Sequence, residues 1–326
     1  MAPGAGLHRM PLLQPLPWSM NTRHDDVRVP VNARDTLYLK RIRPTQGDGP
    51  PVLMVHGMMS NGRVFYSNGG KGLAHFLARH GFDVFVADLR GKGKSTPRIH
   101  PGSTHGQTEM ICEDIPALHA AVRRLSGGQP VHWVSHSWGG VLLNSALLRQ
   151  PGLIPEVASL VHFAAKRSIH VRNLQKTVEI DLMWNVVLRG VTRSVGYLPA
   201  RRLRIGADNE TDKTHRQIKR WAKVRPWVDS DDGFDYGTAA RTTRLPPALY
   251  LSAIDDPCRG HPADVKRFRD ESGPHLSRVH LLSRRTGYRH DYDHVSLLTH
   301  PDAVQEHFPL VLSWLRGQHD AVSENY

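Results

Sequence analysis

The sequence predicts an α/β protein with a mostly parallel central sheet and helices on both faces. Short apolar runs alternate with helical patterns along most of the chain. These runs are nearly continuous in apolar residues, which is typical of parallel strands that helices cover on both sides. A chain of 326 residues with 39% hydrophobic residues is also long enough to bury a large core without a metal or a disulfide.

Each predicted strand is an apolar run that stops at a turn. The predicted strands span residues 36–40, 52–55, 82–87, 131–134, 157–163, 249–253 and 279–282, of which the first alternates and favours an antiparallel strand. Helical apolar spacing separates them at residues 73–79, 110–125, 141–149, 264–270 and 303–315. Because ligands of such sheets bind beyond the carboxyl ends of the strands, the residues after each strand are the candidates for chemistry.

The interval 174–236 interrupts this alternation, because it has no clear strand. Its apolar residues near helical spacing are Val178, Leu182, Met183, Val186 and Val187, and a further helical pattern spans 211–224. We therefore predict three parts: an N-terminal arm over 1–25, a core over 26–170 and 240–326, and a mainly helical cap insertion over 171–239. The alternative is a pair of additional core helices.

The formal charge is strongly positive. Lysine and arginine exceed aspartate and glutamate by 43 − 30 = 13, and the sequence pI is near 10.1. A basic balance raises nucleic acid or an anionic surface as partners. The basic residues nevertheless come in short runs, such as Arg201-Arg202, rather than in a long tail or a continuous basic helix. We expect a solvated basic surface, no nucleic-acid partner, and at most peripheral contact with anionic surfaces.

The sequence also bears on compartment and cofactors. Its apolar runs fall short of the roughly 18 residues that span a bilayer, and prolines interrupt the apolar residues of positions 1–20. Cys112 and Cys258 lie far apart without zinc-ligand spacing, which favours reduced thiols. We expect a soluble cytoplasmic protein without metal or cofactor, while the oligomeric state stays open.

The clearest chemical motif is Ser135-His136-Ser137-Trp138-Gly139-Gly140, between a predicted strand and a predicted helix. A serine flanked by small residues two before and two after is typical of a nucleophile elbow, a sharp strained turn that tolerates no bulk there. If Ser135 were the nucleophile, Trp133 would occupy the first small position. Ser137 is therefore the predicted nucleophile.

A nucleophilic serine needs donors for the oxygen that becomes negative in the tetrahedral intermediate. The residue after the nucleophile supplies one, the backbone N–H of Trp138. The second is expected from the loop after the first buried strand, Val55-His56-Gly57-Met58-Met59, where the N–H of Met58 is the candidate.

The base and its orienting acid should follow in the order serine, acid, histidine. After the strand at 249–253, Asp256 is favoured by its distance from the strand end, and Asp255 stays an alternative. After the last strand, His294 is favoured, with His290 and His300 as alternatives. A metal site formed by His290, Asp291, Asp293 and His294 is conceivable, but the chain shows no second ligand cluster in support.

Together these residues resemble the α/β-hydrolase superfamily over nearly the whole chain. His56-Gly57 is similar to its oxyanion-loop motif, and Asp88-Leu89-Arg90-Gly91-Lys92-Gly93-Lys94-Ser95 to its D-x-R-G-x-G-x-S turn. Ser137, Asp256 and His294 match the order of its triad. The resemblance implies a serine esterase or lipase-like enzyme, nearest the acid-lipase-like branch. Serine at the elbow argues against dehalogenases and epoxide hydrolases, which place aspartate there, and against polyester synthases, which place cysteine.

The resulting hypothesis is a serine hydrolase that cleaves small-molecule carboxylic esters with apolar acyl groups. Candidates for the substrate pocket are His56, Met59, Met183 and Trp184, although some of these side chains could simply pack the cap onto the core. Two alternatives use the same fold. A thioesterase or acyltransferase would pass the same acyl group to another acceptor, and a non-catalytic protein would bind a ligand without turnover.

Overall fold

An eight-stranded sheet forms the centre of the chain in the computed structural model, which describes residues 21–47, 49–223 and 226–319. The strands are β1 (Thr22–Pro30), β2 (Thr36–Pro44), β3 (Pro51–Val55), β4 (Asp83–Asp88), β5 (Val131–His136), β6 (Val157–Phe163), β7 (Tyr197–Leu198), β8 (Glu210–Thr211), β9 (Ala248–Ala253) and β10 (Ser277–Leu282). The sheet has the order β1-β2-β4-β3-β5-β6-β9-β10, and β7 pairs with β8 separately. The pairs β1–β2 and β2–β4 are antiparallel, and the other pairs of the large sheet are parallel.

The helices follow the strands in the order that the sequence predicts. They are α1 (Leu73–Arg79), α2 (Gln107–Glu109), α3 (Ile115–Leu125), α4 (Trp138–Arg149), α5 (Leu174–Lys176), α6 (Leu188–Val195), α7 (Asp212–Trp221), α8 (Tyr236–Thr242), α9 (Pro262–Glu271), α10 (Ser296–Thr299) and α11 (Phe308–Leu315). A π-helical segment, Met110–Asp114, joins α2 to α3, and another, Thr177–Val187, joins α5 to α6. The pattern predicted over 303–315 divides into the 3-10 turn Pro301–Val304 and α11.

Side chains that alternate along each central strand enter two different cores. On β3, Leu53 and Val55 pack with residues of α3 and α4, whereas Val52 and Met54 pack with residues of α1 and α11. All four are completely buried. Burial on both faces explains why these strands read as continuous apolar runs. The predicted mostly parallel sheet with helices on both faces is confirmed.

Two boundaries differ from the sequence predictions. Of the predicted arm, residues 1–20 lie outside the described residues, and its last residues belong to β1, which pairs with β2 from Thr22 onward. This strand lies at the sheet edge and its side chains are largely exposed, so its sequence lacks the apolar run of a buried strand. The predicted end of the cap at residue 239 falls inside α8.

The interval predicted as a cap is mainly helical in the structure. It contains α5, the segment Thr177–Val187, α6 and α7, together with the short pair β7 and β8, which was not predicted. Among the described residues, the structure has no helix that is both long and apolar enough to cross a membrane.

Candidate active site

Ser137 occupies the turn where β5 passes directly into α4, at the carboxyl edge of the sheet. Its backbone has φ 54° and ψ −125°, a positive φ that residues with a side chain seldom adopt. The Ser137 N–H donates to the carbonyl of Phe163 at the end of β6, 2.8 Å away, which fixes the turn against the neighbouring strand. Strained positions of this kind cluster at functional sites because the surrounding structure holds them there.

The two glycines after the turn are required by close packing. A Cβ at position 139 would lie 2.5 Å from the carbonyl oxygen of Val55, and one at position 140 would lie 2.6 Å from the Cβ of Ala165. Ser135, the small residue two positions before the nucleophile, is completely buried and its Oγ lies 2.7 Å from Nδ1 of His162. Its hydroxyl is therefore satisfied inside the fold and separate from the site.

The structure brings together the three side chains that the sequence places at the centre of the site. The Oγ of Ser137 lies 3.0 Å from Nε2 of His294, a distance at which the hydroxyl can donate to the ring. On the other side of the ring, Nδ1 of His294 lies 2.5 Å from Oδ2 of Asp256. These contacts join residues 157 and 38 positions apart in the chain.

Asp256 is held as a buried carboxylate. Its side chain is 1% exposed, and Oδ1 accepts the backbone N–H of Arg259 at 2.9 Å. Burial by itself raises the pKa of Asp256, but the hydrogen bond and charge of His294 and the N–H groups of Gly260 and Arg259 outweigh it. The pKa of Asp256 therefore lies below its ordinary value, and the ionised group can orient an imidazole and stabilise its charged form.

The alternative site residues have other contacts. Asp255 is exposed, and its backbone N–H donates to the carbonyl of Tyr292. His290 lies 2.6 Å from a carboxylate oxygen of Asp302, and His300 accepts the N–H of the same aspartate at 3.2 Å. The structure therefore places these two histidines beside Asp302 and leaves His294 as the ring on Ser137.

The structure does not bring together the metal site that the sequence made conceivable, which consisted of His290, Asp291, Asp293 and His294. Asp291 accepts the hydroxyl of Ser283, and Asp293 accepts the N–H groups of Val295 and Ser296. His294 faces Ser137 instead of these carboxylates. Within the described residues, the group with ligand atoms all within 4.8 Å of one another is a different one, namely His290, His300 and Asp302.

The loop after β3 lies directly against the nucleophile. A Cβ at Gly57 would lie only 2.8 Å from the Cβ of Ser137, so glycine permits this approach. In the part of the chain that the structure describes, the N–H groups of Met58 and Trp138 have no hydrogen-bond acceptor. Backbone donors left open beside a serine can receive the oxygen of a tetrahedral intermediate.

The turn after β4 is hydrogen-bonded to the segment that follows this loop. The carboxylate of Asp88 accepts the N–H of Gly62 and the N–H of Lys94, each at 2.8 Å. Gly93 has φ 49°, and a Cβ there would overlap the Asp88 carboxylate at 2.0 Å. The motif that suggested a family resemblance therefore acts as a brace between the loops after β3 and β4.

His56 has a structural position rather than the predicted place in a substrate pocket. It is completely buried, Nδ1 lies 2.7 Å from the carbonyl oxygen of Gly57, and Nε2 accepts the N–H of Leu89 at 3.2 Å. Burial is the largest cause that lowers the pKa of His56, so the ring is neutral and both nitrogens have partners. Its ring fixes the loop that carries Met58.

The other three pocket candidates have different environments. Met59 is half-buried on the loop after β3. Met183 is 41% exposed, whereas Trp184 is 5% exposed and packs on the ring of His215, with centroids 4.1 Å apart. Trp184 therefore belongs to the packing inside the cap, and Met59 and Met183 are the candidates with surface open to a substrate.

Two residues near the triad escaped the sequence argument. The Nε2 of His136 lies 2.7 Å from the carbonyl oxygen of His294 and can donate to it, and burial lowers the pKa of His136 to about 3. A neutral ring thus holds the backbone of the candidate base. The second is Lys166, three residues after the last residue of β6. It is 6% exposed with its ammonium 5.7 Å from the Trp138 ring centre, and burial lowers its pKa. A motif scan gives neither residue a role, because both contacts depend on the packing of distant segments.

Comparison with known proteins gives a family match over part of the chain. The family model described as the alpha/beta hydrolase fold matches residues 50–191. Triacylglycerol lipase 1 of Arabidopsis thaliana is 30% identical over 139 residues, which are 40% of this chain and 34% of that protein. A probable oxidoreductase, EphD, of Mycobacterium tuberculosis is 32% identical over 144 residues, 44% of this chain and 22% of that protein. The chain therefore matches about a third or less of the length of these relatives.

Solved structures extend the likeness to nearly the whole chain. A thermophilic esterase from Thermogutta terrifontis superposes with a TM-score of 0.59 at 16% identity, covering 90% of this chain and 99% of that one. At this identity the likeness concerns the fold, which is the same parallel sheet with flanking helices. With the family model over residues 50–191, it leads to one conclusion: the chain has the α/β-hydrolase fold.

Proposed function

We propose that this protein is a serine hydrolase that cleaves carboxylic esters through an acyl-enzyme. The observation that carries the proposal is the line of hydrogen bonds from Asp256 through His294 to Ser137, with heavy-atom distances of 2.5 and 3.0 Å. The 3.0 Å distance between His294 and Ser137 lies in the range in which a base can take a proton from a nucleophile, and the contact with Asp256 orients that base.

The proposed reaction has two steps. His294 Nε2 takes the proton of the Ser137 hydroxyl while Oγ attacks the acyl carbon, and the N–H groups of Met58 and Trp138 stabilise the resulting oxyanion. The proton then passes from His294 to the leaving alcohol, and the C–O bond to that alcohol breaks. In the second step His294 takes a proton from water, which attacks the acyl carbon of the Ser137 ester. His294 then returns this proton to Oγ of Ser137 as the acyl–Oγ bond breaks and the carboxylic acid leaves. Asp256 orients the ring and stabilises its charged form throughout.

For the substrate, we propose an apolar acyl group received between the core and a cap formed by residues 171–239. The support is the apolar character of the exposed surfaces on both sides. Met59 lies half-buried on the loop after β3, and the cap segment Thr177–Val187 exposes Leu182, Met183 and Val186 by 41–60%. Exposed apolar surface of this kind is typical of ligand-binding clefts.

Active-site titration tests the proposed nucleophile. A fluorophosphonate should label one serine per chain, and peptide mapping should locate the label on Ser137. Ser137→Ala should abolish labelling and reduce ester turnover by about six orders of magnitude, as loss of the nucleophile does in other triads. The matched control is Ser135→Gly, which removes the neighbouring serine and should keep labelling and turnover within a few-fold.

Label on a residue other than Ser137, or near-normal turnover by Ser137→Ala, contradicts the proposal. The acyl preference is tested separately with nitrophenyl esters of increasing chain length. We expect kcat/KM to rise with the number of methylene groups up to a limit. A flat series contradicts the apolar pocket without affecting the assignment of the nucleophile.

A further inference from the structure

Glu210, in the short strand β8 of the cap, has its carboxylate on the loop that carries the candidate oxyanion donor. It is 1% exposed, and Oε1 accepts the backbone N–H of Met59 at 2.6 Å. The same oxygen lies 2.7 Å from the ammonium group of Lys92, which is also buried. These contacts join segments 151 and 118 positions apart, so the cap reaches directly into the loops after β3 and β4.

Met59 needs such support because its backbone is strained. Its φ is 51°, in the left-handed region that favours glycine. Its carbonyl oxygen accepts the N–H of Ala207 at 2.8 Å and that of Asp208 at 3.2 Å. Both backbone polar groups of Met59 are therefore held by one cap segment, residues 207–210.

A second contact of the same segment strengthens the attachment. The carboxylate of Asp208 accepts the side-chain N–H of Asn61 at 2.7 Å and the backbone N–H of Gly93 at 2.8 Å. The Lys92 ammonium also donates to the carbonyl of Asn209. Residues 207–210 thus clamp the loops after β3 and β4, of which the loop after β3 lies against the nucleophile.

We propose that Glu210 is a positioning residue for the oxyanion hole. Its carboxylate accepts the Met59 N–H and so fixes the orientation of the peptide group between Met58 and Met59. The Met58 N–H belongs to the preceding peptide group, which is joined to this one through the Cα of Met58. Loss of the acceptor should misplace the Met58 N–H and weaken binding of the transition state more than binding of the substrate. The inference rests on the proposed serine hydrolase activity.

The experiment separates the acceptor from the charge. Removal of Glu210 alone would leave Lys92 buried without its counter-charge and could unfold the protein, so two double variants are compared. Glu210→Gln with Lys92→Met keeps an oxygen that can accept the Met59 N–H, whereas Glu210→Leu with Lys92→Met removes it. Both have the same net charge and nearly the same side-chain volumes.

We expect the leucine double variant to have a kcat about 10- to 100-fold below the glutamine one, with KM values within threefold. Affinity for a trifluoromethyl ketone, which forms a tetrahedral adduct with a serine, should fall in the same proportion. Hydrogen exchange of the Met59 amide should accelerate only in the leucine variant.

Equal kcat values of the two variants, or a difference confined to KM, overturn the positioning role and leave Glu210 as a packing residue of the cap. Thermal unfolding of both variants shows whether either has lost the fold. In the folded fraction, the exchange rate of the Met59 amide then shows whether its hydrogen bond is kept. If the unmodified protein neither hydrolyses esters nor reacts with a fluorophosphonate at Ser137, the proposed function fails first, and the role of Glu210 in it falls for that separate reason.

Discussion

The candidate triad and the cap differ in how far charged groups contribute to the contacts that hold them. Ser137, Asp256 and the loop of His294 follow strands of one sheet, whose side chains at this edge are almost completely buried. The cap reaches the core through buried apolar side chains such as Ile218 and Trp221, which belong to the same cluster as residues of α3 and α4, and also through charged groups. Arg259, three residues after Asp256, lies 2.8 Å from the carboxylate of Glu179, and Glu210 pairs with Lys92.

The two regions also differ in exposed apolar surface. The segment Thr177–Val187 has one buried residue, Trp184, and leaves Leu182 and Val186 exposed by 52% and 60%. By contrast, Leu251 in β9 is completely buried. Close packing holds side chains within fractions of an ångström, whereas exposed ion pairs contribute little and are screened by salt. Because the strands beside the triad are closely packed and the segment Thr177–Val187 is exposed, we expect catalysis and substrate entry to respond to different substitutions.

The largest expected effect concerns the triad acid. Asp256→Asn should lower kcat by about 10⁴-fold, because an amide stabilises the wrong tautomer of His294 and cannot balance its charge. Asp255→Asn is the matched control, since Asp255 is adjacent in sequence and exposed, and it should keep kcat within threefold. Steady-state ester hydrolysis measures both, and comparable losses in the two variants would show that the acid is wrongly assigned.

A pair of leucines tests the difference in packing directly. Leu251→Ala should reduce the free energy of unfolding by about 2–5 kcal/mol, because it empties a closely packed site between sheet and helices. Leu182→Ala, in the cap, should change it by less than about 0.5 kcal/mol. Urea unfolding followed by circular dichroism measures both. A loss of similar size at Leu182 would mean that a buried partner covers the exposed face of the cap.

The sequence predicts the triad better than the cap, because buried strands have a visible apolar pattern and exposed segments do not. Ser137, Asp256 and His294 could be found because each lies just beyond a strand whose apolar run is visible in the sequence, and parallel strands end at one edge. The choice of Asp256 over Asp255 and of His294 over His290 followed from loop spacing alone, and the structure places His294 on Ser137 and Asp256 on His294.

Other features of the structure have no local pattern in the sequence that could predict them. β1 lies at an edge with mostly exposed side chains, and β7 and β8 have two residues each, so neither has an apolar period. The pairing of Glu210 with Lys92 joins residues 118 positions apart and is encoded by no motif. His56 was a candidate for the substrate pocket, but its neutral ring holds the loop after β3.

A smaller effect is expected from His136, which supports the base through its backbone. His136→Phe keeps an aromatic ring but removes the donor to the carbonyl of His294, and kcat should fall about 10- to 100-fold, as small misplacements of catalytic groups do. His307→Phe is the matched control, since its Nε2 lies 2.6 Å from the carbonyl oxygen of Leu297, outside the site. It should lose stability with kcat within threefold, and equal kcat values in both variants would remove His136 from the positioning of the base.

The smallest effect that we predict concerns pH and stability. Burial lowers the pKa of six histidines, to about 3 or about 4: His136, His162, His105, His132, His215 and His307. In the unfolded chain these rings take up protons near pH 6.5. Between about pH 6.5 and 4 the unfolded state therefore binds more protons, and stability falls as the pH falls.

Each such histidine contributes a slope of about 1.4 kcal/mol per pH unit in this range. His132→Gln should therefore flatten the decline in the free energy of unfolding by about that amount, while the exposed His100→Gln should leave it unchanged. Over the same range the cap keeps its ionic contacts, because burial raises the pKa of Glu179 but the hydrogen bonds of Gln175 and Arg259 outweigh this and hold it below its ordinary value. Urea unfolding at pH 7.5, 6 and 5 measures the slopes. Equal slopes for His132→Gln and the unmodified chain would contradict the prediction, because they would mean that the ring at position 132 takes up its proton at the same pH in the folded and the unfolded chain.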